Sequence, residues 1–132
     1  MNRWKLAALT PFLLFGLAAS TRSSGPSVIE MTENMAFVPK EVSVVVGEIV
    51  VWKNTSTMSH TVNSVPDFCK TDEGKKWIQS PKGATPFYSD EIKPDGEWRH
   101  RFEMPGRYQY VCTFHENEMM RGTIIVQGST SK

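Results

Sequence analysis

Cysteine is scarce in this chain: Cys69 and Cys112 are the only two among 132 residues, so one bridge between them is the most an oxidising compartment could make. An excess of one charge is lacking too. With 15 Lys+Arg against 14 Asp+Glu and no long single-sign run, the chain has no basic field of the kind that binds phosphate backbones, and nucleic acid is excluded as a ligand. No Gly-rich phosphate loop, internal repeat or window of sustained helical periodicity occurs. Nothing supplies a nucleophile–base pair or a substrate pocket, so no enzyme is expected.

A long hydrophobic run is also missing, but a short one opens the chain. Asn2-Arg3-Trp4-Lys5 gives a positive head, and 6–19 is nearly all apolar, ending in Leu17-Ala18-Ala19-Ser20. That is the layout of an export signal over 1–20, cut near Ser20. The run falls short of the roughly 20 residues that span a bilayer, and Pro11 interrupts it, so the mature chain is expected to have no membrane span. Its expected place is the periplasm or an extracytoplasmic membrane face. Removing Arg3 and Lys5 leaves 13 basic against 14 acidic residues, close to neutral. A polar linker over 21–27, one domain over 28–127 and a tail over 128–132 complete the expected organisation.

The domain reads as strands and turns. Val28 to Met31 is a first candidate. The β-branched runs 42–46 and 49–52 look tightly joined through Gly47-Glu48. Alternation over 98–102 puts Trp98, His100 and Phe102 on one face and Arg99 and Arg101 on the other. After the Pro105-Gly106 turn, Tyr108, Tyr110 and Cys112 share a face, and 123–126 makes a last strand. The middle, 63–97, is broken by prolines and glycines, with a short helix possible around 72–78. The fold class is all-β, an antiparallel Greek-key β-sandwich.

Between Cys112 and Met120 the sequence gathers a thiol, the His115 imidazole and the thioethers of Met119 and Met120. Thiolate and thioether favour Cu(I), while imidazole tolerates Cu(II), so a mixed set keeps its ligands in both oxidation states. Two histidines, one cysteine and a weak axial methionine make a blue-copper set, and His60 is the natural second histidine. Met119 and Met120 compete for the axial position.

Phe37-x-Pro39, Val46-Gly47-Glu48-x-Val50-x-Trp52-x-Asn54, His60-Thr61, and Pro105-Gly106-x-Tyr108-x-Tyr110-x-Cys112-x-x-His115-x-x-x-x-Met120 with Gly122 together resemble the cupredoxin family, in a plastocyanin- and pseudoazurin-like pattern over about 31–126. The resemblance implies a cupredoxin-like sandwich holding one type 1 copper ion through His60, Cys112, His115 and Met120, the last chosen because plastocyanin-like chains have the longer His–Met spacing. It implies that Thr61 braces the site and tunes the thiolate. It also implies a monomeric electron carrier whose redox protein partners dock near His115, on a patch to which Phe114, Met119 and Met58 contribute. Lys70, Lys75, Lys76 and Lys82 lie in the middle segment and are candidates for partner choice. A copper storage, delivery or sensing module is the alternative. On this reading Cys69 stays an unbridged thiol, His100 is structural, and Glu116 and Glu118 are solvated loop charges.

Overall fold

The computed structural model describes residues 25–129. The expected export segment (1–20), the first part of the linker (21–24) and the end of the tail (130–132) lie outside the described residues.

Seven strands form where β-branched and aromatic residues recur: β1 (Ser27–Met31), β2 (Phe37–Val38), β3 (Glu41–Val45), β4 (Ile49–Asn54), β5 (Glu97–Arg101), β6 (Gly106–Val111) and β7 (Arg121–Gln127). They make two sheets, ordered β2-β1-β4-β5 and β3-β7-β6, packed as the expected sandwich. Both sheets are mixed, because β1 runs parallel to β4 and β3 parallel to β7 while the remaining pairs are antiparallel. The Gly47-Glu48 turn joins the two sheets. Gly47 has φ 87°, a value open to glycine, and its N–H donates to Phe102 O at 2.7 Å. The chain thus crosses from the sheet of β3 to the sheet of β4, and these two runs, adjacent in sequence, form no hairpin.

The core fills the space between the sheets. Trp52 and Tyr110 are fully buried, and Trp52 Nε1 donates to the Tyr110 hydroxyl at 3.1 Å, giving a buried polar tip the partner it needs. Phe87 arrives from the long middle segment and packs among Trp52, Phe102, Tyr108 and Tyr110. Ser64 fixes it there, since Phe87 N donates to Ser64 Oγ at 2.7 Å and Ser64 N to Phe87 O at 2.9 Å.

That middle segment has one short helix, α1 (Asp72–Trp77), one residue shorter than the expected span. Thr71 caps it by accepting from Gly74 N, with Asp72 and Glu73 in the first turn and Lys75 and Lys76 in the last, charges that suit the helix ends. The segment is tied to the edge of β6 at Asn63–Val111 and at Gln79–Gln109. Val111 is therefore buried, although its neighbours Tyr110 and Cys112 point into the core. Among the described residues, no helix is long and apolar enough to cross a membrane.

Candidate metal centre

At one end of the sandwich, β4 runs out into the segment carrying His60, and β6 runs out into the loop that bears Cys112 and His115 and returns as β7. The first segment is held by a buried polar network. Asn54 Nδ2 donates to Met58 O at 2.7 Å and to Ile92 O at 2.9 Å. Its Oδ1 accepts from Ser56 N at 3.0 Å and from the Ser56 hydroxyl at 2.7 Å. Ser56 Oγ then meets His60 Nε2 at 2.8 Å. With that hydroxyl proton spent on Asn54, Nε2 is the donor to Ser56 and Nδ1 carries the free lone pair. His60 N and O both bond to Ile92, at 3.1 and 2.8 Å. Burial, and next the nearby His115, lower the His60 pKa to about 4 against the opposing pull of Glu33, so the ring is neutral, the ligand form.

The second loop is closed on itself. Cys112 N donates to Met120 O at 3.0 Å, Met120 N to His115 O at 3.1 Å, and His115 N to Cys112 O at 3.2 Å. Cys112 Sγ lies 3.8 Å from His60 Nδ1 and 3.5 Å from His115 Nδ1, and one ligand atom from each of the three residues fits within 4.8 Å of the others. Bonds of about 2.3 Å to sulfur and about 2.0–2.1 Å to nitrogen, at roughly 110–120°, would separate sulfur from nitrogen by about 3.5–3.8 Å. Both sulfur–nitrogen separations therefore suit one first-row metal ion, and a thiolate with two imidazoles is a donor set that copper accepts.

Met120 is fully buried and belongs to the same core cluster as Cys112. Met119 is 63 % exposed and sits in the left-handed region at φ 57°. Thr61 N donates to Cys112 Sγ at 3.3 Å, and Thr113 N donates to Thr61 Oγ1 at 2.8 Å, the bracing expected of Thr61. Burial raises the Cys112 pKa, and the Thr61 N–H opposes the rise; a bound cation takes the proton off a coordinating thiol. Cys69 and Cys112 are both free. His100 takes no part. It stacks on Trp98 at 5.5 Å and packs against Phe87 and Phe102, as expected of a structural histidine.

One expectation fails. Glu118 is exposed, but Glu116 is only 5 % exposed. Its Oε1 accepts from Lys70 N at 2.9 Å, and its Oε2 from Thr71 N at 2.9 Å and Thr71 Oγ1 at 2.7 Å. A carboxylate with three donors is a paired group and not a solvated charge. Its partners, two backbone N–H groups and one hydroxyl, lie 45 and 46 residues away, which no local pattern announces. Ser56 was missed as well, and the only signal for it is its place between Asn54 and His60.

A family model for copper binding proteins of the plastocyanin/azurin family matches residues 27–127. Plastocyanin of Scenedesmus fuscus is 29% identical over 97 residues, which is 70% of this chain and 88% of that protein. Amicyanin of Paracoccus versutus is 31% identical over 101 residues, covering 76% of this chain and 65% of that protein. Among solved structures, the reduced state of an amicyanin mutant superposes with a TM-score of 0.60 at 25% identity, covering 81% of this chain and 87% of that one. The Cu(I) form of a methionine-to-alanine amicyanin mutant gives 0.59 at 23% over the same shares and speaks for the fold alone. With the family matched across the whole sandwich, and a thiol and two imidazoles converging at its end, the chain belongs to the plastocyanin/azurin family of copper binding proteins.

Proposed function

We propose that this chain is an exported single-electron carrier and not an enzyme, with 28–127 as its copper domain behind an export signal at 1–20. His60 Nδ1, His115 Nδ1 and Cys112 Sγ would hold the ion, with the Met120 thioether as a weaker fourth donor. The observation that carries the reading is the spacing of sulfur from the two ring nitrogens, 3.8 and 3.5 Å. Copper bound there supplies a one-electron Cu(II)/Cu(I) couple.

The protein's part is to keep the donors still. Ser56 and Asn54 hold the His60 ring, Thr61 N steadies the thiolate, and burial of Cys112, His60 and Met120 excludes water. His115 is half-buried and shares its loop with Phe114, which is 44 % exposed, and Met119, which is 63 % exposed. An electron exchanged through the His115 edge thus has an apolar surface on which a redox protein partner can dock. The carrier works as a monomer in the periplasm or at an extracytoplasmic membrane face.

Copper added to the purified protein should produce an intense visible thiolate-to-copper absorption that bleaches with reductant and returns on oxidation. Cys112→Ser should remove it. Copper that binds without this band, or leaves readily to a chelator, would overturn the carrier reading in favour of storage or delivery.

A further inference from the structure

The residue following His115 has no role in holding metal, yet its carboxylate is buried and aimed away from the site. Glu116 reaches the middle segment just before α1, where Lys70 N, Thr71 N and Thr71 Oγ1 all donate to it. The Thr71 hydroxyl gives its proton to Glu116 and accepts from Gly74 N at 2.9 Å, so the helix cap and the carboxylate share one oxygen. A Cβ at Gly74 would collide with the Glu116 carboxylate, which accounts for a glycine within this short helix.

Two further contacts flank this one in the same order along both segments. Lys70 Nζ stands 5.4 Å from the centre of the Phe114 ring, and the Arg121 guanidinium stands 5.3 Å from the Trp77 ring, both within cation–π range. The middle segment is in turn anchored to β6 at Asn63–Val111 and Gln79–Gln109. Residues 114, 116 and 121 thereby lean on residues 70, 71 and 77, which are fixed to the strand leading into Cys112.

We propose that Glu116 is a positioning residue: it clasps the ligand loop to the middle segment and so holds His115 in place through changes of oxidation state. The inference rests on the reading of His115 as a copper ligand. The clasp adds charge-assisted bonds at the one ligand that is not buried, where movement between oxidation states would otherwise be easiest.

The test compares Glu116→Ala, Glu116→Gln, Gly74→Ala and Glu118→Ala with the parent. Gly74→Ala displaces the carboxylate while keeping its charge, and Glu116→Gln keeps the side-chain volume should the alanine variant not fold. In the copper-free protein, amide exchange at Lys70 and Thr71, and at His115 and Met120 within the loop, should speed up at least roughly ten- to hundredfold in Glu116→Ala, since one of its three charge-assisted bonds alone is worth that much. With copper, Glu116→Ala and Gly74→Ala should both shift the thiolate-to-copper band and slow electron self-exchange, and Glu118→Ala should do neither. Faster exchange at Lys70 and Thr71 alone, with His115, Met120 and the band unchanged, would overturn the proposal and leave Glu116 as a fastening of the middle segment. If the parent itself shows no such band, the carrier reading fails, and exchange at His115 and Met120 still decides the clasp.

Discussion

Met119 and Met120 are neighbours in sequence and opposites in environment, one 63 % exposed and the other fully buried. The cause is local: Met119 N donates to Glu116 O at 3.0 Å, Met119 takes φ 57°, and the turn sends the next side chain into the core beside Cys112. If Met120 is the fourth donor as proposed, Met120→Gln should retain copper and change its potential, since a weak thioether ligand tunes the couple. Met119→Ala should leave spectrum and potential unaltered. Spectra and voltammetry of the two variants check this, and a spectral change in the Met119 variant alone would reverse the assignment. The convergence of His60, Cys112 and His115 was legible because two of them sit, with both methionines, in one short loop with unusual chemistry. Ser56 and Glu116 were not, because a serine among Thr55, Thr57 and Ser59, or a glutamate beside Asn117 and Glu118, reads as solvated surface until the distant acceptor or donor is known.

At the level of elements, the site depends on how β6 and β7 meet. Tyr110 pairs with Gly122 in the antiparallel register, and a Cβ at Gly122 would run into the Tyr110 ring. The Tyr110 hydroxyl accepts from the Trp52 indole N–H and the ring lies edge-on to Phe37 at 4.8 Å, so it has nowhere to go. Gly122→Ala should cost about 1–3 kcal/mol by overpacking, read as a lower urea midpoint at unchanged m-value. A variant as stable as the parent would mean that the ring yields without strain. Strands with β-branched or alternating sequence were visible in advance, and a short helix around 72–78 stood among the possibilities. The sheet crossing after β3 was not, because a Gly-Glu pair between two apolar runs is equally the mark of a hairpin. The middle segment stayed opaque because its backbone bonds form scattered bridges, at His60–Ile92, Asn63–Tyr88 and Gln79–Gln109, and so leave no periodic trace.

For the whole molecule, the free thiol of Cys69 bears on the proposed life as an exported monomer, because an accessible thiol in an oxidising compartment can pair with a second copy. Cys69 is 7 % exposed, and burial, followed by the nearby Glu116 charge, pushes its pKa from 9.0 up to about 11, against the weaker pulls of Lys75 and Asn63 Nδ2. The thiolate is the reactive form. Two units of pKa reduce its population at pH 8 about a hundredfold, so in the copper-loaded protein, with Cys112 engaged, alkylation by iodoacetamide should be slower than for a free thiol by at least that factor. The same shift fixes a pH dependence of stability. Well below pH 9 the Cys69 thiol stays protonated in both the folded and the unfolded chain, and it contributes nothing. Between pH 9 and about 11 the unfolded chain releases the proton while the folded one keeps it, so the unfolded state binds fewer protons and stability falls as pH rises. Urea unfolding at intervals across that window should show a steeper decline for the parent than for Cys69→Ser. Equal slopes, together with rapid alkylation at pH 8, would mean that Cys69 meets solvent in the folded protein, and disulfide-linked dimers would then be expected on non-reducing gels.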